Sequence, residues 1–161
     1  MEKETLRKIH IFKGLSDREL EAIAELGEQR NYKAGEVVFN EGSKGEELYI
    51  VRRGKVRIEL ALGQATDSAA VHKVTEGKLF GELALVDKGQ RSATAECEGD
   101  CELIVLDCDR LYSLFEKNSH IGYTIVRNIA TVLARRIRKT NLQLVASILR
   151  EPLILDFGEE G

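Results

Sequence analysis

Apolar positions change their period twice along this chain. Between residues 5 and 26 they fall at helical spacing: Leu6, Ile9 and Ile11, then Leu20, Ile23, Ala24 and Leu26. Ser16-Asp17-Arg18-Glu19 lies between the two groups and reads as a capping box, with Ser16 as N-cap and Glu19 reaching back. A helix is expected to follow Ser16 and to end near Gly27. From Tyr32 to Leu106 the period becomes two, and glycines break the short runs, the pattern of a β-sandwich or barrel. Val56, Ile58, Leu60 and Leu62 alternate with Lys55, Arg57, Glu59 and Ala61, which gives that strand one wet face. Leu48-Tyr49-Ile50-Val51 is apolar on both faces and predicts a central strand. Residues 63–68 read as a polar loop, and Val71 and Val74 as part of the next strand. Residues 94–98 and 102–106 read as the last two strands, joined near Gly99-Asp100. Asp109 is expected to cap a short helix that turns Leu111 and Leu114 inward.

The helical period returns after residue 121 and runs further. Val126, Ala130, Leu133, Ile137, Thr140 and Leu144 form a heptad-like seam in a stretch without glycine after Gly122 and without proline before Pro152. A helix over 121–149 is about 43 Å long at ~1.5 Å per residue. That exceeds what a small β-domain needs to cover itself, so the second apolar face predicts a homodimer. The basic run Arg135, Arg136, Arg138 and Lys139 reads as solvated flanks of the seam. Pro152 is expected to stop the helix, and residues 159–161 to be a frayed acidic tail. The organisation expected is a β-domain with N-terminal helices over 1–120, a long helix over 121–150, and a tail over 151–161.

The stretch that carries chemistry is Phe80-Gly81-Glu82-Leu83-Ala84-Leu85, followed by Arg91-Ser92-Ala93-Thr94. Gly81 lets backbone approach a ligand. The turn after it offers free N–H groups to an anion. Arg91 offers a planar fork suited to phosphate oxygens. Glu82 accepts hydrogen bonds, which suits a sugar hydroxyl beside that phosphate. A phosphate and a free hydroxyl side by side describe a small nucleotide.

This stretch resembles the phosphate-binding cassette of cyclic nucleotide-binding domains, the family of the bacterial catabolite activator, the regulatory subunits of cyclic-AMP-dependent kinase, and gated channels. From Glu82 to Arg91 the spacing resembles the kinase subunits and is one residue shorter than the catabolite activator. Residues 41–58, E-G-S-x-G-x-x-L-Y-I-V-x-x-G-x-V-x-I, resemble the family's β-roll. So does Phe12-Lys13-Gly14-Leu15-Ser16 its N-terminal helical segment. The likeness covers most of residues 8–150. It implies an α+β fold: a jelly-roll-like β-roll (double-stranded β-helix) with flanking helices and a long C-terminal helix. It also implies that Phe80, Gly81, Glu82, Leu83, Ala84, Arg91, Ser92 and Ala93 hold the cyclic phosphate and ribose, and that Ile58 and Val71 line the base pocket. Residues 134–141 resemble the catabolite activator's helix where it reaches adenine, with Thr140 and Asn141 at the base. The ligand implied is cyclic AMP. Cyclic GMP is the alternative, because Asn141 can both donate and accept and Ser92 can serve guanine. The family signals through its C-terminal helix to an effector that the sequence does not identify.

Composition narrows the remaining classes. The chain has 161 residues, 43% hydrophobic and 32% charged, with no apolar run near the ~20 residues of a membrane span. Its start lacks a basic segment followed by an apolar one. A net charge of −3 and the lack of a helical hairpin after residue 150 lead us to expect no sequence-specific DNA binding by this chain alone. Cys97, Cys101 and Cys108 contain no C-x-x-C pair, which suits a reducing cytoplasm. His10, His72 and His120 are scattered without ligand spacing, so no metal or other cofactor is expected. No nucleophile–base pairing is visible, so no enzyme activity is expected. The alternatives are a dimerisation module with a non-binding pocket and a metal-dependent cupin-like enzyme.

Overall fold

The structure is a computed structural model and describes residues 3–61 and 68–149. Leu62, the 63–67 loop, Pro152 and the acidic tail lie outside the described residues, as do the side chains of residues 68–71 and 149. Two short helical pieces open the chain, α1 (Lys3–Arg7) and a 3-10 turn (His10–Phe12), followed by α2 (Asp17–Ala24). The capping box forms as the sequence predicts: the Ser16 N–H and hydroxyl both donate to Glu19 Oε2 at 2.8 Å.

Among the described residues, eight strands build two antiparallel sheets. β1 (Glu28–Tyr32), β8 (Cys101–Asp107), β3 (Glu47–Arg53) and β6 (Leu79–Phe80) lie side by side in that order. The second sheet has the order β2 (Val37–Phe39), β7 (Thr94–Cys97), β4 (Lys55–Ala61), β5 (Ser68–Thr75). The one-turn α3 (Ala84–Asp87) sits between β6 and β7. Helices α4 (Cys108–Lys117) and α5 (Ser119–Leu149) follow the roll.

The first sheet is the shared wall of two cores. Tyr49, Val51, Leu103 and Val105 point between the sheets, against Val56, Ile58 and Ala95. Leu48, Ile50, Ile104 and Leu106 point the other way, onto Leu20, Ile23, Ile121 and Ile125 of the helices. This double burial is why Leu48–Val51 is apolar on both faces.

Two boundaries depart from the sequence reading. The cap of α4 is Asp107, not Asp109: Asp107 Oδ1 accepts from the Arg110 N–H at 2.8 Å, and Asp109 lies in the first turn. A strand also forms over Glu28–Tyr32, ahead of the predicted onset. Helix α5 includes Gly122 in its first turn, where a Cβ would lie 2.9 Å from Phe115 of α4. Its inner stripe, Ile121, Ile125 and Ile129, is buried in the helical core. Asn128 pins the same stretch: its buried amide donates to the Ile11 and Lys13 carbonyls at 3.0 and 2.8 Å.

Candidate functional site

Strand β6 delivers Phe80 to the interior, and the chain then turns through Gly81 at φ +77°. Two facts reserve this position for glycine. The left-handed backbone disfavours a side chain, and a Cβ there would lie 2.9 Å from Arg91 Nη1. Arg91 itself is 7% exposed. Its Nη2 donates to the Glu47 carbonyl at 2.7 Å and its Nη1 to the Gly81 carbonyl at 3.3 Å. The guanidinium lies 4.1 Å above the Phe39 ring, within an aromatic cluster in which Tyr49 stacks on Phe80 at 5.1 Å. Arg91 is thus oriented by main-chain oxygens and ring faces, and its Nε is buried with no hydrogen-bond partner among the described residues. A buried cation with an unused donor is costly unless something negative arrives to meet it.

Glu82 follows Gly81 and is 6% exposed. Its Oε1 accepts from Arg136 Nη1 of α5 at 2.5 Å. These groups border one cleft of about 560 Å³, including its open mouth. Phe39, Ile58, Leu79 and Phe80 give it an apolar side. Glu82, Arg91, Ser92 and Arg136 give it a polar one, and His72 stands at the edge. The polar side offers a cation for an anion and a carboxylate for a hydroxyl.

The cyclic nucleotide-binding domain family matches residues 29–118. The cyclic AMP receptor protein of Thermus thermophilus is 34% identical over 135 residues, 83% of this chain and 60% of that protein. The chain belongs to the cyclic nucleotide-binding domain family. The crystal structure of the Thermus thermophilus catabolite activator protein superposes with a TM-score of 0.72 at 33% identity, over 83% of this chain and 61% of that one. The regulatory domain of Toxoplasma gondii PKA with cAMP superposes with a TM-score of 0.65 at 28% identity, over 69% of this chain and 42% of that one. The chain therefore spans less than two thirds of the length of these relatives.

Within this cyclic nucleotide-binding domain, Ile58, Phe80, Gly81, Glu82, Leu83, Ala84, Arg91, Ser92 and Ala93 meet on the one cleft. Val71 falls at a register shift of the β4–β5 ladder, between the pairs Ile58↔His72 and Glu59↔Ala70. The residue placed opposite Ile58 is His72. Thr140 and Asn141 are exposed on α5 and do not line the cleft in this state. The residue of α5 that does line it is Arg136.

His72 and Arg136 were both legible in period. Buried Val74 pairs with Val56, and a step of two along β5 reaches His72, not Val71. On α5 the inner stripe Ile125, Ile129, Leu133 continues at helical spacing to 136, so Arg136 emerges on the domain side. The three cysteines are buried free thiols. Burial raises Cys97 to about 12 and Cys108 to about 11, far from a reactive thiolate. Among the described residues no group of side chains is placed to hold a metal ion, and no helix is long and apolar enough to cross a membrane.

Proposed function

We propose that this chain is a cyclic AMP-binding regulatory module that binds its nucleotide without consuming it and signals through α5. The observation that carries the reading is the buried Arg91, with its unused Nε, beside the buried Glu82 in one cleft. In this reading the cyclic phosphate takes Arg91 and the Ser92 hydroxyl, and Glu82 accepts the ribose hydroxyl. The relatives named above for cyclic AMP support the choice of base.

Signalling follows from Glu82 having two suitors. Arg136 holds it in the described state, and a bound ribose claims the same carboxylate. The nucleotide therefore interacts differently with two positions of α5, which is the condition for a ligand to shift them. Thr140 lies about one turn beyond Arg136, so a helix drawn over the cleft brings it toward the base. The exposed stripe of α5, with Ile137 at 60% and Leu144 at 57% exposure, is assigned to a second copy of the chain. An effector protein that reads the helix completes the scheme.

Calorimetric titration with cyclic AMP, cyclic GMP and linear AMP tests this. Saturable binding of cyclic AMP, tighter than cyclic GMP and far tighter than the linear nucleotide, with the ligand recovered intact, is the expected result. Failure to bind either cyclic nucleotide would overturn it.

A further inference from the structure

His72 stands directly across the β4–β5 ladder from Ile58. Residues directly opposite in an antiparallel pair project to the same face, and Ile58 is buried against the cleft. The imidazole is thereby held at the mouth of the cavity with Glu82 and Arg136. The function proposed above commits Arg91 and Ser92 to the phosphate and Glu82 to the ribose. Ile58 and His72 are the β4 and β5 residues that line the cleft, which leaves an apolar and a polar group on that wall for a base.

Resting on that reading, we propose that His72 contacts the edge of the purine and that its protonation state sets which purine the cleft prefers. A neutral imidazole keeps one lone pair and can accept from the amino group of adenine. A protonated ring has two N–H donors and no acceptor. It cannot take the adenine amino hydrogen, and it offers a charge-assisted donor to the carbonyl of guanine. Preference for cyclic AMP therefore weakens as His72 gains its proton.

The surroundings favour the neutral ring. His72 is exposed at the rim of the cleft; desolvation by the surrounding cleft wall and then the Arg136 cation on α5 lower its pKa, and Glu82 from the cassette turn opposes them. Beside Ile58 on β4, Arg57 and Glu59 pair with each other, and Lys73, next along β5, pairs with Glu98 at 2.8 Å. The ring is consequently neutral at neutral pH and charges on the acid side.

Cyclic AMP and cyclic GMP are to be titrated against wild type and His72→Gln from about pH 5 to about pH 8, where an imidazole changes charge. The wild-type preference for cyclic AMP should narrow by about two- to tenfold toward the acid end, the worth of one net hydrogen bond. The ratio in His72→Gln should stay flat. A flat wild-type ratio, or an equal change in His72→Gln, overturns the assignment and leaves nucleotide binding standing. Ribose cyclic phosphate without a base should bind both proteins equally at the alkaline end. A loss in His72→Gln matching that for cyclic AMP would move His72 to the sugar-phosphate and also overturn the assignment. Failure of wild type to bind either nucleotide at any pH overturns the reading of the cleft, and the role of His72 with it.

Discussion

Arg136 and Glu82, 54 residues apart in sequence, meet across the mouth of the cleft, with Nη1 donating to Oε1 at 2.5 Å. The pair is asymmetric: the carboxylate side chain is 8% exposed and the arginine 52%. Glu82 is enclosed by the domain, and Arg136 reaches it from the solvent side. In the unliganded protein Glu82→Gln and Arg136→Ala should each lower stability, and the double variant by less than their sum, with a coupling of about 0.5–3 kcal/mol. Denaturant unfolding of the four proteins measures it. Saturating cyclic AMP should shrink the coupling, and a coupling near zero without ligand would remove the latch.

Arg91→Ala should weaken cyclic AMP binding by ten- to a hundredfold or more, from the loss of a charge-assisted pair of about 1.5–3 kcal/mol. Glu82→Ala should cost less, because a sugar hydroxyl is neutral. Side-by-side calorimetry of wild type and the two variants decides the order. Equal affinity in wild type and Arg91→Ala would take the phosphate away from this residue.

Glu19 makes stability depend on acid. Burial alone would raise its pKa. Hydrogen bonds from the Ser16 N–H, His120 and the Ser16 hydroxyl, with the His120 charge, lower it instead from 4.5 to about 2. A depressed carboxyl contributes stability that is fully present above its unfolded value and is lost as pH falls through the folded one. Between about pH 5 and about pH 2 wild type should therefore lose stability more steeply than Glu19→Gln. Parallel slopes in urea unfolding would show that the capping box and its His120 contact, at 2.7 Å, do not hold the charge.

Ile137 tests the assembly. It is 60% exposed on α5, in line with Val126 and Leu144. If this stripe faces a second copy, Ile137→Asp buries an unpaired carboxylate and yields monomers. Light scattering at tens of micromolar should show dimers for wild type and monomers for the variant. A monomeric wild type would refute the interface.

What was legible in the sequence was whatever a side chain decides. The Ser16–Glu19 box, the doubly apolar β3 and the Gly81–Arg91 cassette each rest on residue types that only one local structure uses well. Strand β1 was invisible because Glu28, Gln29, Arg30 and Asn31 are polar and exposed, and the backbone ladder to β8 holds them at the sheet edge. For His72, hydropathy favours the neighbouring Val71, although the two-residue step from buried Val74 points to His72 and the register shift comes only beyond it. Arg136 reads with its basic neighbours Arg135, Arg138 and Lys139, although the helical spacing of Ile125, Ile129 and Leu133 places it on the domain side. Asp107 lost to Asp109 because both are acids at a helix start and only the backbone angles separate them.

The two-sided wall has a consequence for how the protein comes apart. β3 gives Leu48 and Ile50 to one core and Tyr49 and Val51 to the other, and these four residues are at most 3% exposed. Opening either layer strips one face of the same strand, so the layers cannot melt as separate foldons. The amides of β3 and its neighbour β8 should exchange with deuterium only through global opening. Those of α5 beyond Arg136 should exchange by local fraying. Exchange should therefore divide the protein into one cooperative block and the outer part of α5, and the cleft lined by Glu82, Arg91 and Arg136 lies where the two meet.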